Sequence, residues 1–147
     1  MGEPIRPIRM TAMFVADHAE AVGGKLYVTG GCWDRLAAGE LPAVHPHLSL
    51  AISMRVPSPS RPERHSLNVR LLDPEGHDAL GGGVRSEFEV APLPEHPPEL
   101  PVLMVVNFNA LQLRLAGRYD FAVLVDGEEL ARTDFQVSPT VRRPTAD

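Results

Sequence analysis

The sequence contains one cysteine, one lysine and no long apolar run. Cys32 has no second cysteine to pair with, which excludes an internal disulfide and a zinc site built from cysteines. No uninterrupted apolar run exceeds the five residues of Val102–Val106, far short of the roughly 20 residues of a membrane-spanning helix. The first nine residues also lack the apolar segment of a secretory signal. We therefore expect a cytoplasmic protein with no membrane partner.

Positive charge and aromatic rings are also scarce. The net charge is −5, which disfavours sequence-independent binding of nucleic acid through a broad basic surface. We therefore expect no nucleic-acid partner. Aromatic residues make up only 5% of the chain, too few to favour a carbohydrate-binding face of stacked rings.

Proline and glycine are abundant instead. With 15 prolines and 12 glycines in 147 residues, few windows are long enough for a helix, because both residues interrupt helices. Helical bundles and doubly wound α/β folds are therefore disfavoured. The length fits one domain with a sizeable core.

Strict alternation of apolar and polar residues predicts β-strands. In His47–Val56, for example, every second residue from Leu48 onward is apolar and the intervening positions are mostly polar. About eight such segments occur, separated by turn signals and two proline-rich loops (57–62 and 92–101). Segment 57–62 is expected to be an exposed hairpin loop, and Asp126-Gly127 predicts a second hairpin. Arg70 and Arg85 fall on the polar faces of their strands, and the apolar phase reverses near Asn107–Ala110. The predicted strands are Ile8–Ala16, Lys25–Thr29, His47–Val56, His65–Leu71, Arg85–Val90, Pro101–Phe108, Tyr119–Val125 and Leu130–Val137.

These segments predict an all-β fold: a single antiparallel β-sandwich of about eight strands, immunoglobulin-like, with proline-rich loops. The sandwich is expected over residues 8–138. A flexible N-terminus is expected over 1–7, and a flexible C-terminal tail over 139–147, because these ends have little to bury.

Segment 115–121 carries the immunoglobulin-like resemblance. Its Gly117-Arg118-Tyr119 resembles the beginning of a strand in that family, where the tyrosine hydroxyl bonds to nearby backbone. Phe121 occupies the place where a cysteine usually follows.

A wider resemblance extends along most of the chain. Segments 16–20, 24–34, 46–48, 117–119 and 125–128 are similar to a family of small bacterial proteins that is classified only as a domain of unknown function. The resemblance implies a bacterial, single-domain, β-rich protein and supplies no activity.

Histidines offer one candidate chemistry. His45 and His47 have the i,i+2 spacing that places two side chains on one face of a strand, and His18 with Asp17, or Asp34, would complete a metal site. The alternative function is therefore a small-ligand or metal-binding sandwich that uses the neighbourhood of His18, His45 and His47.

Signals of catalysis are weak in comparison. The sequence has no Gly-x-Ser-x-Gly motif, and Gly81-Gly82-Gly83 lacks the Lys-Ser/Thr that follows in a phosphate-binding loop. Cys32 lacks the local pattern of a cysteine protease. We expect no enzyme activity, no catalytic residues and no cofactor.

The remaining class is a non-catalytic protein–protein interaction or assembly module. Trp33 is either a core anchor or an interface hot spot, and Asp34 and Arg35 follow it directly. His47 and Arg55 lie on the polar face of a predicted strand. These five residues are the interface candidates, and an exposed edge strand could pair with another copy or with a partner peptide. We expect a protein partner or self-association.

Overall fold

The structure is a computed structural model that describes residues 7–139. This range contains nine β-strands and no helix, so it has no helix long and apolar enough to cross a membrane. Of the expected flexible ends, only residues 7 and 139 fall inside it, and neither is in a strand. The strands are β1 (Arg9–Val22), β2 (Lys25–Gly31), β3 (Arg35–Ala37), β4 (Ala43–Pro57), β5 (Glu63–Leu72), β6 (Val84–Val90), β7 (Glu99–Leu113), β8 (Gly117–Val125) and β9 (Glu128–Ser138).

The strands form two sheets and confirm the all-β class. Sheet A has four strands in the order β2-β1-β4-β7, and sheet B has five in the order β3-β9-β8-β5-β6. Sheet B is curled into a half-barrel. Two details correct the prediction: there are nine strands instead of about eight, and β3 runs parallel to β9. With three residues, β3 is too short to show the alternation from which strands are predicted.

The inner faces of the two sheets share one apolar core. From sheet A, β4 contributes Leu48, Leu50, Ile52 and Met54, all fully buried. From sheet B, the ring of Phe135 stacks on Tyr119 at 5.5 Å and meets the tilted ring of Phe121 at 5.8 Å. Burying each of these large side chains contributes about 1.5–3 kcal/mol, so the alternating pattern dictates which face of each sheet turns inward.

Between β4 and β5 the chain crosses from one sheet to the other, where a hairpin was predicted. The proline-rich segment 57–62 was expected to form a hairpin loop, but β4 belongs to sheet A and β5 to sheet B. Prolines cannot donate hydrogen bonds to a ladder, and here they mark the passage of the chain from one sheet to the other. The turn at Asp126-Gly127 is the predicted hairpin, with φ of 52° and 83° at the two residues.

The β1–β2 hairpin belongs to sheet A and contributes to a second apolar cluster on the outer face of that sheet. Its apolar contacts gather Ala16 and Ala19 against Ala51 of β4, and Leu26 of β2 packs on the same cluster. The amide of Ala19 donates a hydrogen bond of 3.1 Å to the hydroxyl of Ser49, a fully buried residue. The same hydroxyl donates to Oδ1 of Asn107 on β7 at 2.6 Å, so Ser49 links the hairpin to the rest of sheet A.

Candidate functional site

Trp33, Asp34 and Arg35 lie together at the start of β3, beside β9. The indole of Trp33 is half-buried and meets the ring of Phe135 edge-on at 5.9 Å. Its Nε1 is buried and has no hydrogen-bond partner among residues 7–139. The backbone carbonyl of Asp34 accepts a hydrogen bond from the amide of Gln136. Trp33 therefore contacts the core, and Asp34 and Arg35 remain exposed on the rim of sheet B.

The other two interface candidates lie on sheet A. His47 and Arg55 are eight positions apart on β4, which separates them by roughly 26 Å. His47 is held by Asn109, whose Oδ1 is 2.7 Å from Nδ1, whereas Arg55 is exposed. The structure thus places the five candidates in three separate locations, and their role in binding stays a prediction.

The three candidate metal ligands are not gathered into one group. The rings of His18 and His47 are neighbours, with centroids 5.6 Å apart, but His45 lies against Trp33 at 6.4 Å. Opposite this part of β4, the backbone of Ala110 has a φ of 55° and the alternation of β7 reverses. Residues 7–139 contain no group of three or more His, Cys, Asp or Glu side chains arranged to hold a metal ion.

His65 and Asp126 form a hydrogen-bonded pair where the β8–β9 turn meets β5. Oδ2 of Asp126 is 2.7 Å from Nδ1 of His65, and Oδ1 accepts the amide hydrogen of Ser66 at 2.9 Å. Burial raises the pKa of Asp126, but the hydrogen bonds from His65 and Ser66 outweigh it and leave that pKa below its ordinary value. The ring of His65 also stacks on Phe88 at 5.3 Å, so the pair anchors the turn to sheet B.

Strand edges are the next places where a β-protein meets partners, because they carry unpaired backbone groups. Three of the four described edges have features that oppose strand addition. β3 has only three residues, and β6 carries Arg85, Glu87 and Glu89. β2 has a lysine at its start, and at Gly30 its backbone has a φ of 60°. Shortness, charge and irregular backbone are the devices by which natural edges avoid pairing.

The fourth edge, that of β7, has none of these protections from Val102 to Asn109, and its one irregular backbone position is Ala110, with a φ of 55°. β7 has 15 residues, pairs with β4 on one side, and has no described strand on the other. Its segment Val102–Leu113 contains no charged residue and no proline. We call this segment the β7 edge. Sequence reasoning missed it as a site, although the uncharged run was a visible signal.

Side chains along the β7 edge are incompletely covered. Val102, Met104 and Val106 point toward the core but are only half-buried. Leu103 lies opposite Ser53 on the outer face and is half-buried too. On β4, one strand further in, the core residues Leu50 and Ile52 are fully buried. A further strand beside β7 would therefore cover apolar surface as well as pair the backbone.

Comparisons with known proteins bear on the family and on the fold. A model of a family of unknown function, DUF6941, matches residues 11–138. No curated protein matches the chain. Among solved structures, the chain is similar to the Pseudomonas fluorescens alkylpurine DNA glycosylase AlkC bound to DNA containing an abasic site analog, with a TM-score of 0.54 and 12% identity. The match covers 88% of this chain and 30% of the glycosylase chain, so this chain spans less than a third of that protein.

The likeness corrects the expectation that nucleic acid is not a partner, because a region of similar fold occurs in a protein bound to DNA. That expectation rested on net charge, which is a sum over the chain and does not describe local surfaces. The strands of sheet B carry six arginines: Arg35, Arg64, Arg70, Arg85, Arg118 and Arg132. At 12% identity the likeness shows the fold alone, whereas the family match covers most of the sequence. The chain belongs to DUF6941, a family of unknown function.

Proposed function

We propose that the protein is a non-catalytic assembly module that associates with a second copy of itself through the β7 edge. The observation that carries the proposal is the contrast between this edge and the other three: only β7 offers a long strand with an uncharged, proline-free segment. Edges of this kind pair readily with another strand.

A second copy fits the β7 edge better than an arbitrary partner does. Two identical strands that pair antiparallel are related by a two-fold axis, the commonest symmetry of soluble oligomers. In such a pair the residues at the two-fold axis lie opposite their own copies, and like charges directly opposite are destabilising. Because Val102–Leu113 carries no charge, this repulsion does not arise within the segment.

The energetics also favour association. Each new backbone hydrogen bond contributes about 0.5–1.5 kcal/mol net, and the half-buried Val102, Met104 and Val106 would add apolar burial at about 25 cal/mol per Å². Together these terms oppose the loss of translational and rotational freedom on binding.

We further propose that the two sheets form an immunoglobulin-like sandwich in the bacterial cytoplasm. The hydroxyl of Tyr119 donates to the carbonyl of Leu115 at 3.0 Å, as the resemblance implies. The order β9-β8-β5-β6 in sheet B and the pairing of β4 with β7 support the same architecture. An exposed free thiol at Cys32 suits a reducing compartment.

Mass measurement tests the association directly. We expect size-exclusion chromatography with light scattering, and native mass spectrometry, to give twice the chain mass of 16.0 kDa for the wild type. Leu103→Lys places a charge on the β7 edge and should give the monomer mass. Leu93→Lys is the matched control, because Leu93 is 43% exposed, belongs to the loop before β7 and is not part of Val102–Leu113; this variant should remain dimeric.

Two further observations make the test decisive. Gln112→Lys adds a charge at an exposed position of the same strand, so it repeats the test without disturbing a packed side chain. Thermal unfolding of each variant checks that it is folded. A wild type that stays monomeric across the concentration range overturns the proposal, and so does a folded Leu103→Lys protein that remains dimeric.

A further inference from the structure

A cavity of about 590 Å³ opens on sheet B between β5, β6 and the β8–β9 turn. Its volume lies within the range of small-molecule sites, which is roughly 300–1,000 Å³. Polar side chains from two neighbouring strands line much of it. These are Ser66, Asn68 and Arg70 of β5, and Arg85, Ser86 and Glu87 of β6.

Strand register brings the two arginines together. Asn68 lies directly opposite Arg85, and Arg70 is two positions further along β5 on the same face. Such diagonal neighbours are about 7 Å apart, a separation at which two guanidinium groups can bind one anion. The two arginines come from positions 15 residues apart in the sequence, so only the pairing of β5 with β6 makes them a site.

Neither arginine is neutralised by a close ion pair. Within residues 7–139, no carboxylate lies within 4 Å of the guanidinium of Arg70 or Arg85. Other arginines of sheet B differ: Arg118 pairs with Asp134 at 3.0 Å, and Arg132 pairs with Glu129 at 2.9 Å. Unpaired arginines on adjacent strands repel each other, and an anion between them would relieve that repulsion.

Asn68 adds a hydrogen-bond donor between the arginines. Its Oδ1 is buried without a partner, close against Gly83, where an added Cβ would lie 2.6 Å from that oxygen. Gly83 has a φ of 88° and no side chain, which leaves room for the amide oxygen. The amino group Nδ2 is therefore the end of Asn68 that a ligand can reach, and it can only donate.

Two carboxylates lie near the cavity, and both have other partners. Glu87 lines the cavity but pairs with Arg64 at 3.6 Å. Glu129 on β9 accepts a hydrogen bond from Arg132 at 2.9 Å, although its charge also interacts with that of Arg70. The donors that remain on this face, namely two guanidinium groups, one amide and the hydroxyl of Ser66, match the several acceptor oxygens of a phosphate.

We propose that this cavity binds a phosphate group of a phosphorylated ligand of nucleotide size. Arginine forks recognise phosphate through paired hydrogen bonds, and the cavity has room for the sugar and base of one nucleotide beside Leu124. The site lies on sheet B, whereas the β7 edge is on sheet A. Phosphate binding and self-association can therefore be tested independently of each other.

Titration calorimetry at low salt tests the site, with AMP, adenosine, inorganic phosphate and a short single-stranded oligonucleotide as ligands. We expect AMP to bind with a Kd of about 1 mM or tighter and adenosine not to bind. Arg70→Gln and Arg85→Gln should each weaken AMP binding by about tenfold or more, because each removes a charge-assisted hydrogen bond. Arg55→Gln, an exposed arginine of sheet A, is the control and should bind AMP as the wild type does.

The outcomes separate the sources of the phosphate. If AMP binds more tightly than the oligonucleotide per phosphate group, the natural ligand is a small molecule. If the oligonucleotide binds much more tightly and is weakened by the same two substitutions, the phosphate belongs to a nucleic acid. Absence of binding by AMP, phosphate and oligonucleotide overturns the proposal, as does an equal loss in Arg55→Gln. Unchanged melting temperatures of the variants exclude unfolding as the cause of a loss.

Discussion

Replacing Tyr119 with phenylalanine removes a single oxygen atom from the interior of the protein. That oxygen donates a hydrogen bond to the carbonyl of Leu115 at 3.0 Å and accepts one from the amide of the same residue at 3.2 Å. Tyr119 is 1% exposed and Leu115 is half-buried, so water can replace the lost interactions only in part. The ring of the new phenylalanine would keep its stacking on Phe135 at 5.5 Å.

The expected cost follows from these contacts. A neutral hydrogen bond contributes about 0.5–1.5 kcal/mol net, and an unsatisfied buried group costs about 1–3 kcal/mol. With two bonds lost and both backbone groups of Leu115 left without that partner, we expect the free energy of unfolding to fall by about 2 kcal/mol. For a chain of this size that corresponds to a decrease in Tm of roughly 4–8 °C.

Urea titration followed by circular dichroism measures this loss, and the chain supplies its own control. Tyr27, the other tyrosine, is 57% exposed and its hydroxyl forms no hydrogen bond to a described residue. Tyr27→Phe should change the free energy of unfolding by less than about 0.5 kcal/mol. Equal effects of the two substitutions would refute the reasoning, because the hydrogen bonds at Leu115 would then contribute nothing specific.

Two further predictions concern the fastening of the β1–β2 hairpin and the acid side of the stability profile. Ser49→Ala leaves the amide of Ala19 without its partner and should lower the free energy of unfolding by about 1–3 kcal/mol. Faster hydrogen exchange at the Ala19 amide would show that the lost hydrogen bond causes this decrease, and unchanged exchange would contradict that explanation. Hydrogen bonds from His65 and Ser66 outweigh the effect of burial and lower the pKa of Asp126 in the folded protein. The ionised Asp126 therefore stabilises the fold above the unfolded-state pKa of about 3.9. This stabilisation disappears as the pH falls through the lowered pKa of the folded state. Asp126→Asn should therefore make the loss of stability below about pH 4 shallower in acid titrations, and identical slopes would exclude the pair as its source.

Strands with clear alternation could be predicted from the sequence, and those without it could not. β4 and β5 were found because one face of each carries apolar residues at every second position, which the core requires. β3 was missed because three residues set no pattern, and its existence depends on hydrogen bonds to β9. The reversal of alternation within β7 was visible, and the structure locates it at Ala110, whose φ is 55°.

The candidate sites were harder to predict because they depend on which strands are neighbours. Alternation alone predicts that Arg70 and Arg85 lie on the outward faces of their strands. The sequence does not indicate that β5 pairs with β6, nor that the register sets Arg85 opposite Asn68. In the same way, Val102–Val106 was noted as an apolar run, yet only the strand order shows that it lies at an edge. The i,i+2 spacing of His45 and His47 predicted one shared face, but the ring of His47 lies beside His18 and the ring of His45 lies beside Trp33.

The pairing of β4 with β7 has a consequence for the order in which the chain folds. Ala43 pairs with Leu113 and Pro57 with Glu99, so β4 leaves the ribosome long before its partner is synthesised. Such distant pairings fold slowly because a long loop must close first. Until β7 arrives, β4 presents an open edge and the whole apolar row from Leu48 to Val56 to the solvent. Nascent chains held at that point would be the species most in need of a chaperone.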